Sequence, residues 1–128
     1  MKKFSFLDRI KSFKYAFTGF SNLFKNEHNA RVHLVLTLVV ILLGVLLKIN
    51  SIEWSLIVMA IGIVFIAELL NTAIEKLADF VEPNTNKTIG EIKDYGAAAV
   101  LTAALVSIVL GSIVFIPKLI QLVLNLNV

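Results

Sequence analysis

VFIAELLNTAIEKLADF, residues Val64 to Phe80, joins a membrane-like apolar run to a row of polar side chains. It begins inside an apolar run suited to crossing a bilayer, yet it carries Glu68, Asn71, Glu75 and Asp79. At 100° per residue these four positions fall within an arc of about 80°, which makes one polar face on a helix. Glu68 and Asp79 would be separated by roughly 16 Å of rise, so the face runs from within the hydrocarbon toward the interface. A carboxylate at membrane depth costs roughly 3 kcal/mol even on lenient insertion scales, and side chains kept against that cost usually mark function.

The surrounding chain agrees with a membrane reading. Its 128 residues suffice for one domain, and 58% of them are hydrophobic, with a mean hydropathy of +0.87. There is no cysteine, which excludes a disulfide framework, a thiolate nucleophile and a sulfur-ligated metal. Residues 1 to 31 hold Lys2, Lys3, Arg9, Lys11, Lys14, Lys25 and Arg31 against only Asp8 and Glu27. That excess places the N-terminus on the cytoplasmic side. No apolar stretch follows Lys2 and Lys3, so a cleavable signal peptide is not expected.

The expected fold class is an all-α membrane protein with three transmembrane helices and an N-terminal amphipathic interfacial helix. Residues 4–26 place Phe6, Ile10, Phe13 and Phe17 at helical spacing, with Phe20 and Phe24 beyond. This stripe suits a helix lying at the headgroup boundary or closing a bundle, with Gly19 as a point of bending or breakage. A basic, aromatic-rich helix can also serve nucleic acid. Beside membrane spans, an anionic lipid surface is the simpler partner, and no nucleic acid is expected.

The first span covers 32–48. Just before it, Glu27 and Arg31 stand four apart, the spacing of an ordinary surface ion pair on a helix. Glu27 also sits at the level where Glu75 should leave the second span. His28 and His33 have no further His or Cys for a zinc site and read as interfacial polar groups. KINSIEW, residues 48 to 54, is an outer turn, and Trp54 marks the interface. The second span, 54–80, delivers the polar face inward. Pro83 to Ile92 reads as a cytoplasmic loop, so the sequon at Asn86 is discounted. The third span is 94–117, where Asp94 could serve as a helix cap and Gly96 to Ala99 permit close helix approach. Pro117 and Lys118 end that span, leaving 118–128 as an apolar outer tail.

Glu27, Glu75, Asp79 and Asp94 thus gather near the cytoplasmic interface with Asn71 and Lys93, and Glu68 stands deeper. Carboxylates beside a lysine suit a magnesium nucleotide, since magnesium takes one or two carboxylates and completes its octahedron with phosphate oxygens and water. The chain has no GxxxxGK[ST], GxGxxG, HRD or DFG signature, so any phosphoryl transfer would need an unrelated site. Burial would make Glu68 a better base for a lipid hydroxyl. From spacing alone, a non-enzymatic polar seam between helices or a small cation pathway is favoured over lipid-modifying catalysis.

The run Glu68-Leu69-Leu70-Asn71-Thr72-Ala73-Ile74-Glu75 with Asp79, Asn26-Glu27 before the first span, and Lys93-Asp94-Tyr95-Gly96-Ala97-Ala98-Ala99-Val100 resemble the small prokaryotic diacylglycerol kinase family, which includes undecaprenol kinases. The pattern E-x-x-N-[ST]-A-I-E-x-x-x-D is specific, and the likeness extends to about Pro117. The resemblance implies a homotrimeric kinase of the cytoplasmic membrane, with sites shared between subunits, that uses magnesium and ATP to phosphorylate diacylglycerol or undecaprenol. It implies Glu68 as general base and Glu27 and Glu75 as metal ligands. Tyr15, Glu27, Asn71, Glu75, Asp79, Lys93 and Asp94 would contact the nucleotide, and Arg9, Arg31, Glu68 and Ala97 the acceptor. The spacing from Arg9 to Tyr15 departs by one residue from the best-known pattern. Ala97 stands where diacylglycerol-specific members tend to have Ser, so the resemblance does not name the acceptor. The 83–92 loop also lacks their Glu/His-bearing pattern, and the tail has no counterpart.

Overall fold

The computed structural model describes residues 6–84 and 86–126, and within them the chain is helical with no strand. Four helices follow in order: α1 (Phe6–Asn26), α2 (His28–Leu46), α3 (Ser51–Val81) and α4 (Lys87–Leu126). Three of them, α2, α3 and α4, are long and apolar enough to cross a membrane. At 1.5 Å per residue they measure roughly 28, 46 and 60 Å, so α3 and α4 overrun a hydrocarbon core of about 30 Å. That overrun lifts Glu75 and Asp79 clear of it when Trp54 marks the opposite interface.

A tight turn between α2 and α3 fixes their pairing. The Ile49 amide donates to the Gly44 carbonyl at 3.1 Å and the Lys48 amide to the Val45 carbonyl at 3.2 Å. These bonds are a Schellman motif with Lys48 in the left-handed region at φ 49°. Asn50 then starts α3 with a capping box. Its side chain accepts from the Ile52 and Glu53 amides, and its own amide donates to the Glu53 carboxylate. Ile49 folds back with Ile57 and Val114 into a buried cluster closed by Trp54, Leu47 and Phe115. Gly44 makes room for this, since a Cβ there would stand 2.9 Å from the Trp54 ring and 3.0 Å from Ile49.

The packing of α3 against α4 is antiparallel and runs their shared length. Small residues line it, with Ala60 and Ala103 buried, and the Ser107 hydroxyl donates across to the Ala60 carbonyl at 2.9 Å. An ion pair closes each end: Lys118 with Glu53 at 3.4 Å, and Lys93 with Asp79. The first helix attaches through its last turns. Leu23 is buried, and Phe24 meets Phe65 of α3 edge-on. Its upstream stripe, Ile10, Phe13 and Phe17, is exposed.

Three local expectations need correction. The first helix continues unbroken through Gly19, where an added Cβ would meet nothing, so no close contact there makes the glycine a hinge. Only a short linker follows Val81, because Asn86 accepts from the Thr88 and Ile89 amides and starts α4 at Lys87, well before Asp94. Asp94 therefore lies inside α4 rather than capping it. Pro117 likewise does not end α4, which runs on to Leu126. A proline removes one hydrogen bond, but breaking a helix among apolar surroundings would free several backbone groups, and the adjoining Lys118 anchors the far side.

Gly44→Val should therefore lower stability by about 1–3 kcal/mol through overpacking against Trp54 and Ile49. Lys48→Gly should raise it by up to about 1 kcal/mol by removing a left-handed non-glycine residue. Helix content followed through a denaturing-detergent titration checks both.

Candidate active site

The one-residue joint between α1 and α2 is Glu27. Its backbone is extended, φ −103° and ψ 121°, so it occupies the cap position of α2, yet its side chain makes no capping hydrogen bond. The carboxylate is thus left uncommitted at the head of a helix. Arg31 does not form the expected ion pair with it. The Arg31 Nε instead donates to the Glu27 backbone carbonyl at 3.4 Å, because Glu27 is not a helical residue and its side chain is not projected along the i, i+4 row.

The polar face of α3 splits between two neighbours. Glu68 turns toward α2 and is only 3% exposed, with His33 Nε2 lying 3.3 Å from its Oε1. The contact lacks the alignment of a closed hydrogen bond, and Oε1 has no hydrogen-bond partner among the described residues. Asn71 turns toward α4, where its Oδ1 occupies the place a Gly96 Cβ would need, 2.2 Å from that point. Its Nδ2 donates to Glu75 Oε1 at 2.9 Å, which leaves the other Glu75 oxygen free. One turn further, Asp79 pairs with Lys93. Gly96, Asn71 and Glu75 thus form a chain in which close helix packing sets the direction of a carboxylate.

Glu27 and Glu75 are the two acids whose charge reaches Glu68, which brings α1, α2 and α3 together around one electronegative locus. No three His, Asp or Glu side chains among the described residues converge as a ready cation cage. Tyr15 is 73% exposed, and Asp94 and Ala97 are exposed as well. The side chain of Arg9 lies outside the described residues. Beside the locus, α3 and α4 enclose an apolar groove of about 950 Å³ that Asn71, Tyr95 and Gly96 border.

The pairing of His33 with Glu68 goes beyond the interfacial polar role that its sequence suggests. Counting helix rise from the shared turn would have found it. Roughly 15 residues back along α2 and 18 forward along α3 bring His33 and Glu68 to within about a turn of the same depth.

A buried acid in a helix long and apolar enough to cross a membrane, under the influence of two further acids and beside an apolar groove, makes this a membrane protein with an electronegative polar site. Comparison with known proteins gives the particular family. A family model of prokaryotic diacylglycerol kinases matches residues 14–115, and the chain belongs to that family. It is 36% identical over 110 residues to an undecaprenol kinase of Bacillus subtilis (strain 168), covering 86% of this chain and 89% of the relative. It is 36% identical over 107 residues to a diacylglycerol kinase of Haemophilus influenzae, covering 83% and 91%. A diacylglycerol kinase of Synechocystis sp. is 33% identical over 114 residues, covering 88% of this chain and 65% of the relative. The chain is therefore a membrane-embedded lipid kinase with ATP as co-substrate, and the cation-pathway alternative falls away.

Gly96→Ala should push Asn71 off Glu75 and lower lipid phosphorylation by about 100-fold, the scale of a misplacement of roughly 1 Å in a reacting site. Turnover of radiolabelled ATP into lipid by the purified variant checks this, with helix content as the control for folding.

Proposed function

We propose that this chain transfers the γ-phosphoryl group of ATP to the hydroxyl of a diacylglycerol or undecaprenol, with Glu68 as the general base. The observation that carries this reading is a carboxylate 3% exposed in a helix long and apolar enough to cross a membrane, under the electrostatic influence of two further acids. The acceptor oxygen forms a bond to the γ-phosphorus, the bond from that phosphorus to the bridging oxygen of ADP breaks, and the hydroxyl proton passes to Glu68. Low exposure keeps water from competing for the phosphoryl group.

Glu27 and Glu75 would hold magnesium. Both are hard oxygen donors, Glu27 spends nothing on capping its helix, and Glu75 keeps one oxygen free while Asn71 holds the other. A pair of carboxylates suffices, because phosphate oxygens and water fill the remaining positions of magnesium. When bound, the ion supplies charge neutralisation on the phosphates. Lys93, held by Asp79, would add positive charge beside them, with Asp94 and Asn71 also contacting the nucleotide. Tyr15 would contact the nucleotide, and Arg9, Arg31 and Ala97 would border the acceptor.

The working form is a homotrimer whose sites are shared between copies. Support comes from the long apolar faces left exposed on α2, α3 and α4. The enzyme lies in the cytoplasmic membrane with its N-terminus and acid locus inside and its C-terminus outside. The basic excess of residues 1–31 favours that orientation, and the exposed Phe13 and Phe17 stripe of α1 suits the inner headgroup layer.

Glu68→Gln should abolish turnover while nucleotide binding stays nearly intact, and a purified variant keeping more than a small fraction of activity would refute the base. Glu75→Ala should weaken magnesium-nucleotide binding by at least about tenfold in calorimetry, the scale seen when a metal site loses support. Unchanged affinity would remove Glu75 from the metal site. Parallel assays with diacylglycerol and undecaprenol, each with labelled ATP, identify the acceptor by which lipid acquires the label.

A further inference from the structure

We propose that His33 is the positioning residue for Glu68: its Nε2–H holds Oε1 and leaves the other carboxylate oxygen to take the acceptor's proton. The inference rests on the reading of Glu68 as base, and adds a role for a histidine that this reading does not use. A buried carboxylate oxygen without a partner is costly, and a base free to swing spends little time in a productive orientation. His33 is the one side chain paired with Glu68 among the described residues, at 3.3 Å between Nε2 and Oε1.

The ring has space to align. His33 is 21% exposed and stands at the border of a cavity of about 440 Å³ between α2, α3 and α4, whose neighbouring walls are Leu36, Thr37, Val40 and Val64. Those walls offer few competing acceptors, so a ring N–H turning inward finds the Glu68 oxygen. A neutral imidazole also suits the task better than a fixed cation. It orients the carboxylate by hydrogen bonding, whereas a lysine or arginine at that distance would hold the carboxylate's charge so firmly that it became a poor proton acceptor. A base oriented by a third group through a ring nitrogen is a general arrangement for activating hydroxyl nucleophiles.

The test uses the full-length protein in detergent with lipid acceptor and magnesium ATP. His33→Leu should lower kcat by about 100-fold, with the KM for ATP and the nucleotide stoichiometry per chain unchanged within about twofold. His33→Gln, whose amide nitrogen reaches as far as Nε2, should recover activity to within about tenfold of the unmodified enzyme. His33→Asn, whose shorter amide cannot reach, should not. A merely structural histidine would not separate Gln from Asn, so equal activity of those two variants overturns the proposal, as does a His33→Leu enzyme with kcat within about threefold of normal. Should the leucine variant fail to fold, nitrogen-15 NMR of the unmodified protein decides. A protonated Nε2 is expected, and an Nε2 without its proton overturns the assignment. Glu68→Gln run alongside separates the two readings. An inactive Glu68→Gln with a fully active His33→Leu removes the orienting role alone, whereas an active Glu68→Gln removes the base and this inference together.

Discussion

The structure depends on keeping one carboxylate where water is scarce. Glu68 lies in a helix that would cross the membrane comfortably without it, and the surrounding elements are arranged so that its burial is tolerable. A histidine from α2 faces it, and α1 packs on α3 through the Phe24–Phe65 contact. Without those elements the acid would meet hydrocarbon, where the unpaired charged form is strongly disfavoured. The same enclosure would serve the proposed role, because a base shielded from water acts on a hydroxyl without first shedding a tight hydration shell.

Helices and membrane character were legible because they follow from periodicity and hydropathy, which are local properties. The polar arc of α3 was also visible, but its division was not. Glu68 faces α2, while Asn71 reaches α4 and Asp79 pairs with Lys93, and only the packing of two neighbours decides which member of an arc turns to which side. The Gly96 notch reads in sequence as permission for close approach. That it is filled by the Asn71 amide, and so orients Glu75, depends on helix register. The pairing of His33 with Glu68 was not legible because the two lie 35 residues apart on different elements, and no spacing rule within a single helix connects them.

The misplaced boundaries have a common physical origin. Proline and loop-like composition were given their weight in water, where a helix that breaks can bond to solvent. Pro117 sits instead among apolar side chains, next to an anchored Lys118, and α4 continues past it. At the other end Asn86 supplies a strong start signal, enough to extend the helix back through Gly90 to Lys87. Glu27 shows the converse. Its surroundings look helical in sequence, but the chain leaves the helix there for one residue.

That single extended residue has a mechanical consequence. A junction of one peptide unit transmits rotation with almost no slack, so any tilt of α1 against α2 must be absorbed by the two torsion angles of Glu27 itself. The side chain branches from that same α-carbon. The seating of α1 on the lipid surface and the direction in which the Glu27 side chain departs are accordingly coupled, a lever whose pivot also carries its working tip.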